Sequence, residues 1–386
     1  MMLMRSGGAT FLMNFTQSYS SYYTRELGAS NQTLGYLSSV SALVSMVISM
    51  PVGWIADRYN LKHVMGIGMA IQIIMIALYA FAQNWIWILF AMILNPFTMA
   101  LLFRSQRLMV SNSLKDTDRA KGIGMRMMIA QIFGLISPIP AALIIEYFGG
   151  ISIDGIRPLY YLRLIGLTTL YGYIYWKLLD VEPNLRTGKQ GFIGDFREIF
   201  ENKTGLIPWI IVAGCGSLVW STMQTFTIIW CVDVKGADAL TVGLMTTIST
   251  LCSILFSIPS NRLADERGRK VAFIITRPAL WIWILIIVFA PHPSWLLVGW
   301  FFRGIGMSSS AYDTMQVELV PAEQRGRWLG ITNTFGALIR IPAPIIGAFL
   351  YESGLPSLTF LVPLVIDSLI RTPLLMLKVP ETLKKE

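Results

Sequence analysis

Seven arginines, Arg104, Arg107, Arg163, Arg277, Arg303, Arg340 and Arg371, fall inside long apolar runs, where the acids at comparable depth are chiefly Asp313 and Asp367. A guanidinium at the centre of a bilayer-length helix costs about 2.5–3.5 kcal/mol to insert, so each needs a carboxylate, a backbone carbonyl or a wet cavity. Arg340 and Asp367 each lie about ten to twelve residues into adjacent runs, which at ~1.5 Å per residue sets them at one depth. Arg371 is one helical turn from Asp367. The spacing predicts an Arg340–Asp367–Arg371 network, either a structural pin or a coupling relay. Arg107 and Asp313 stand 206 residues apart at matching places in the two halves of the chain. They are candidates for a gating ion pair. Asp313 and Asp367 are also the candidates for carrying a coupled proton, with a purely structural role as the third reading of Asp313.

Neutral polar groups surround these charges. The first apolar run carries Asn14, Gln17, Ser18 and Ser21, the fourth Asn95, and the seventh Ser217, Ser221, Gln224 and Thr225. Tyr19, Tyr22, Tyr23, Trp220 and Trp230 are interleaved with them. An aromatic wall with a few amides and hydroxyls suits a modest organic solute, although some of these groups serve packing alone. With Arg104, Arg303 and Arg340 as the expected contacts, the solute is polar or anionic.

Enzyme chemistry finds no constellation. Both histidines, His63 and His292, fall in loops, and no serine or cysteine is paired with a base at one depth. Cys215, Cys231 and Cys252 show no paired spacing, which implies neither a disulfide framework nor a metal site. No nucleotide-binding loop is present to drive a pump. The expectation is a protein without catalytic residues, cofactor or metal.

The elements that must position these groups are membrane helices. The chain is 54% hydrophobic and 14% charged, far less charge than a soluble surface of this size carries. Twelve apolar runs, at about 8–27, 33–56, 64–82, 86–112, 122–148, 158–178, 206–232, 241–263, 271–290, 294–320, 328–352 and 357–378, are long enough to cross a ~30 Å hydrocarbon core. The first is too long and polar for a cleavable signal.

The net charge of +9 is a topology signal rather than a nucleic-acid one. Arg58, Lys62, Lys115, Arg119, Lys121, Arg262, Arg267, Arg269, Lys270, Arg325 and Arg327 fall on one side of the bilayer, with Arg25, Arg157 and Lys235 on the other. The positive side is cytoplasmic, which sets both termini there, in a multi-pass protein of the cell membrane. Residues 180–205 are the longest polar stretch. They divide the chain into residues 1–180, a linker at 181–205 and residues 206–386. Phe192, Ile193, Phe196, Ile199 and Phe200 give the linker one apolar helical face for the membrane surface. The other loops are too short for an extramembrane domain.

The two halves repeat each other. Thr33 to Asp57 (TLGYLSSVSALVSMVISMPVGWIAD) aligns without a gap on Thr241 to Asp265 (TVGLMTTISTLCSILFSIPSNRLAD), 208 residues later. The residues that follow, Gly53-Trp-Ile-Ala-Asp57-Arg58 and Asn261-Arg-Leu-Ala-Asp265-Glu266-Arg-Gly268-Arg269-Lys270, resemble the signature loop of the major facilitator superfamily. Gln324-Arg325-Gly326-Arg327, its weaker copy Asp118-Arg119-Ala120-Lys121, and Arg303-Gly304-Ile-Gly306 add to the resemblance. Gly134-Leu-Ile-Ser137-Pro138-Ile-Pro140 is a partial match to the antiporter motif of helix five.

The resemblance implies an all-α membrane protein, with twelve transmembrane helices in two pseudo-symmetric six-helix bundles. It implies a monomeric secondary transporter, antiporter or symporter, working by rocker-switch alternating access on a small-molecule substrate, with a coupled proton or sodium ion and a lipid surround. Proton-coupled multidrug-type efflux is the alternative within transport. A non-transporting membrane receptor is the alternative outside it, though a receptor is expected to lose the loop carboxylates Asp57 and Asp265. In the implied fold Asp57 faces the start of helix eleven and Asp265 the start of helix five, where a carboxylate accepts from exposed N–H groups. The second half alone carries Arg269 and Glu318, where the first has Leu61 and Asn112. A cation and an anion missing together predict an Arg269–Glu318 contact with no counterpart in the first half. Pro138, Pro342 and Pro344 are expected to bend helices five and eleven.

Overall fold

The computed structural model describes residues 2–58, 61–113, 116–177, 205–321 and 325–383. The side chains of Asp57, Arg58, Arg104 and Arg107 lie outside that description, as does nearly all of the linker with its expected surface helix. The described chain is helical. Contacts divide it into two compact units, the first comprising residues 1–187 with 237–247 and the second 188–236 with 248–386.

Unit 1 contains α1 (Met2–Gln17), α2 (Ser20–Glu26), α3 (Asn31–Arg58), α4 (Leu61–Ala80), α5 (Trp85–Ser113), α6 (Asp116–Ile136), α7 (Pro138–Tyr147) and α8 (Ile153–Lys177). Its core forms where α1, α4, α5 and α8 bury Ala9, Met65, Met69, Ile76, Leu102, Leu167 and Tyr171. α6 stops where Pro138 removes a backbone donor, and the Ser137 hydroxyl at the break donates to the Phe11 carbonyl at 2.6 Å. The first turns of α10 (Ala239–Arg267) belong to this unit. There the Glu146 carboxylate accepts the Ala239 N–H at 3.2 Å and the Tyr19 hydroxyl donates to the Ala239 carbonyl at 3.0 Å.

Unit 2 contains α9 (Leu206–Asp233), the rest of α10, α11 (Arg269–Phe289), α12 (Ser294–Gly306), α13 (Ala311–Glu318), α14 (Arg325–Arg340), α15 (Ala343–Glu352), α16 (Leu358–Val365), a π-helical segment (Ile366–Arg371) and α17 (Thr372–Lys378). Trp209, Phe273, Met315, Trp328 and Leu375 form its core. α14 and α15 part at Ile341–Pro342, as the prolines predict.

The run at 294–320, expected as one helix, is broken between α12 and α13. Polar side chains of α10 take up the groups this break frees. Asn261 accepts the Ser310 N–H at 2.9 Å, Ser260 pairs with the Ser308 hydroxyl at 2.8 Å, and Ser253 donates to the Met307 carbonyl at 3.4 Å. Asn261 stands where the first repeat has Gly53, so this compensation is particular to the second half.

Eight segments of the described residues are long and apolar enough to cross a membrane. This is fewer than the twelve runs of the sequence. α1, at 16 residues, and α12, at 13, are too short on their own.

Candidate functional site

Arg303, on α12 of unit 2, is set among neutral groups. Its Nη1 donates to the Ser249 hydroxyl on α10 at 3.0 Å, and no carboxylate pairs with it among the described residues. The guanidinium carbon lies 5.5 Å from the ring centroid of Trp220 on α9 and 5.5 Å from that of Trp283 on α11. Two indole faces attract a cation, each by about 0.5–2 kcal/mol, without neutralising it. Trp283 is buried and packs edge-on against Trp300, and its Nε1 has no hydrogen-bond partner. Gly304 lets α12 approach α10 closely, since a Cβ there would sit 2.5 Å from the Ser249 carbonyl oxygen. The result is a positively charged, donor-rich and aromatic cluster.

Asp367 is the opposite case. It is buried on the π-helical segment and accepts from Arg277 Nε at 2.7 Å, from Arg277 Nη2 and from Trp281 Nε1 at 2.7 Å. Arg371 Nη1 joins at 3.1 Å, while its Nε donates to the Val212 carbonyl on α9 at 3.2 Å. The Arg371 guanidinium also stacks 4.9 Å over Tyr312. Arg371 belongs to the network, as expected; Arg340 does not. Arg340 is exposed at the last residue of α14, and Arg277 of α11 takes the place assigned to it. Depth along two helices does not fix which faces meet, and Arg340, at the end of α14, is exposed.

Arg269 and Glu318 make the expected ion pair, at 3.2 Å, and Arg269 also pairs with Asp265 one turn earlier. Glu381 and Thr382 complete this cluster. The Thr382 hydroxyl donates to Glu318 at 2.7 Å, and Glu381 accepts the N–H groups of Arg269 at 3.0 Å and Lys270 at 3.1 Å, the first residues of α11. Gly268, at φ +123°, leads into that helix, and a Cβ there would meet the Glu381 carboxylate at 2.8 Å. Partial burial raises the Glu381 carboxyl, but bonds from the N–H groups of Leu383, Lys270, Arg269 and Thr382 outweigh it and hold the group below its ordinary value of 4.5.

A depressed folded-state value contributes stability above pH 4.5, and that contribution disappears as pH falls through the folded value. Replacing Glu381 with glutamine is therefore expected to lower stability by about 1 kcal/mol near neutrality, the usual worth of a helix cap. In melting curves of the two proteins, the difference should close as the pH is taken below 4.5. A gap that persists unchanged in acid would refute the charged-cap assignment.

The other expected site residues are dispersed. Asn14 donates to the Gly134 carbonyl at 3.4 Å, so its amide joins α1 to α6. Ser21, Asn95 and Ser221 are half-buried, whereas Gln17, Gln224 and Asp313 are exposed. No carboxylate or cation pairs with Asp313 among the described residues. The proposed Arg107–Asp313 pair falls partly outside the described side chains. Several residues were missed by sequence reasoning. Arg5 precedes the first apolar run by three positions and reads there as a flanking charge, but α1 begins at Met2 and buries it. Trp281 carries a signal in retrospect, being one helical turn from Arg277. Glu381 sits in a polar tail with no such signal.

The comparisons with known proteins agree with this architecture. The family model of the Major Facilitator Superfamily matches residues 2–243 and 222–385. The niacin transporter NiaP of Acinetobacter baylyi is 29% identical over 109 residues, a match spanning 28% of this chain and a quarter (25%) of that relative. Among solved structures, the nucleoside transporter NupG superposes with a TM-score of 0.75 at 14% identity, covering 97% of this chain and 98% of that one. A POT family transporter in complex with 5-aminolevulinic acid superposes at 0.71 and 15% identity, over 97% and 96% of the two chains. An inward-facing bacterial homologue of the human lysosomal transporter Spinster does so at 0.69 and 15%, over 98% and 94%. With the signature loops, the broken helices and a family match running along nearly its whole length, this chain belongs to the major facilitator superfamily, a multi-pass membrane transporter and not an enzyme.

Proposed function

We propose that the protein is a secondary transporter of a small organic anion, with Arg303 as the residue that receives the anionic group. One observation carries the reading: a guanidinium within an apolar unit, held by two indole faces and a serine hydroxyl, with no carboxylate to neutralise it among the described residues. Left empty, such a charge is costly. A bound carboxylate supplies the missing partner, and flanking indoles suit a flat ring behind it. The partial similarity to a niacin transporter points to the same chemistry, since niacin is a heteroaromatic acid.

In this reading the twelve apolar runs are twelve spans in two six-helix halves, residues 1–180 and 206–386, joined by a linker at 181–205 on the cytoplasmic side. The halves alternate access across the cell membrane. Asn14, Gln17, Ser21, Asn95, Arg104, Ser221, Gln224 and Arg340 line the path. Asp57, Arg58, Asp265, Arg269 and Glu318 hold the cytoplasmic side, and Arg107 with Asp313 gates it. Asp313 is the favoured carrier of a coupled proton, because Asp367 is already committed to two arginines.

Tryptophan emission tests the site directly, since Trp220 and Trp283 flank Arg303. Nicotinate should change emission saturably, and the change should disappear in Arg303→Gln and shrink in Trp220→Phe. A saturable change produced by lipophilic cations and not by organic acids would move the protein to drug-type efflux.

A further inference from the structure

Trp283 of α11 holds a donor that has no part in the reading above. The residue is 4% exposed, and its Nε1 is buried without a hydrogen-bond partner. A buried N–H without an acceptor has lost its bonds to water and gained nothing in return, which native structures seldom tolerate. The indole lies beside Arg303, whose guanidinium carbon is 5.5 Å from its centroid. Its nitrogen-bearing edge is turned toward α12, the helix of Arg303. A Cβ on Gly299 would lie 3.5 Å from Trp283 Cδ1, the carbon bonded to Nε1. Gly299 precedes Arg303 by four residues and shares its face of α12. An unpartnered indole N–H therefore meets a guanidinium that has no carboxylate among the described residues.

An unpartnered N–H alone assigns no role. Trp209 Nε1 is unpartnered as well, but that indole stacks on Tyr312 in the core of unit 2. Trp283 is set apart by a donor set that its own helix uses elsewhere. Trp281 Nε1 donates to Asp367 Oδ2 at 2.7 Å, Arg277 Nε donates to the same oxygen at 2.7 Å, and Arg277 Nη2 takes Oδ1. One carboxylate oxygen is thus shared between a guanidinium and an indole, and the negative charge strengthens both bonds. Trp281 and Trp283 are two residues apart, so they leave α11 on different faces. The first closes on Asp367 with Arg277, and the second turns to Arg303. The second pair has the same two donor types, and among the described residues it lacks the acid.

We infer, resting on the reading of Arg303 as the residue that receives the anion, that Trp283 Nε1 is the second donor to the transported carboxylate. It shares one carboxylate oxygen with Arg303, as Trp281 shares Asp367 Oδ2 with Arg277. Trp283 is then a specificity-determining contact as well as an aromatic face.

Equilibrium binding of labelled nicotinate to the purified full-length protein tests this. Trp283→Phe removes the N–H but also leaves a void, so the decisive variant has benzothienylalanine at position 283, which keeps both rings and replaces only the N–H with sulfur. Nicotinate should bind it about ten- to a hundredfold more weakly, the worth of one hydrogen bond to a charged group. Its melting temperature without nicotinate should stay the same or rise, because a buried donor without a partner has been removed. The same replacement at Trp220 should weaken nicotinate less than about threefold. Affinity within about twofold of wild type at position 283, a lowered melting temperature with unchanged affinity, or an equal loss at position 220 would overturn the assignment. If Arg303→Gln abolishes binding in those cases, the reading of Arg303 stands without Trp283. If Arg303→Gln binds as tightly as wild type, or wild type does not bind nicotinate saturably, both fall.

Discussion

Asp367→Asn is expected to destabilise unit 2 by about 3–5 kcal/mol, the usual result of removing one member of a buried ionic group. The arithmetic is local. Asp367 is 1% exposed and stands between Arg277 and Arg371, so an uncharged amide leaves two guanidinium groups facing each other. Gly216 adds to the constraint: a Cβ there would sit 2.7 Å from the Arg371 guanidinium carbon, so the surrounding backbone is already shaped to that side chain. The expected reading is a large loss of folded protein in fluorescence-detected size exclusion and a lower melting temperature. A compensated triple change, Arg277→Met with Asp367→Leu and Arg371→Met, should recover much of the loss, because apolar replacements of a whole buried network are often neutral. If Asp367→Asn instead folds normally and shifts only the pH profile of transport, the carboxylate is a coupling group.

Arg303→Gln is expected to do the reverse: to abolish transport while leaving stability within about 2 kcal/mol of wild type. Removing Arg303 strands no carboxylate, and what is lost is one bond to Ser249 and two indole contacts, offset by relief of a buried charge. Initial uptake should fall at least a hundredfold, and Arg303→Lys should recover only part of it. An ammonium keeps the charge but not the planar fork that meets a carboxylate with two bonds. Uptake in Arg303→Gln at even a third of the wild-type rate would make Arg303 a packing residue. The contrast between these two arginine sites separates structure from function in unit 2. One is paired with a protein carboxylate, and its loss is expected in folding; the other has no carboxylate among the described residues, and its loss is expected in transport.

The features legible in the sequence are those that local chemistry decides. Pro138 and Pro342 lack a backbone donor, and the chain breaks at each, between α6 and α7 and between α14 and α15, although Pro96, Pro259 and Pro278 sit inside continuous helices. The Arg269–Glu318 pair was legible because both residues are missing from the first repeat together, which makes one chain its own comparison. Features set by the direction of a side chain were not. Arg340 and Asp367 lie at similar depth, but the helix break ends α14 at Arg340, and the π-helical segment alters the facing of Asp367 and Arg371. The break at residues 307–310 has no proline to announce it. It is held by Ser253, Ser260 and Asn261 across the helix pair, a tertiary compensation no single run reveals. Arg5 was hidden because an arginine just outside an apolar run looks like the positive-inside flank; only the packing of α1 shows that its guanidinium is buried.

The central claim is that a negatively charged organic group is what the transporter moves. Counterflow in proteoliposomes tests it most directly, with labelled nicotinate and its neutral amide as a matched pair differing in charge and little else. The account predicts that nicotinate accumulates against preloaded unlabelled acid, that nicotinamide does not, and that Arg303→Gln abolishes the exchange. Equal exchange of the amide, or exchange of organic cations alone, would contradict it.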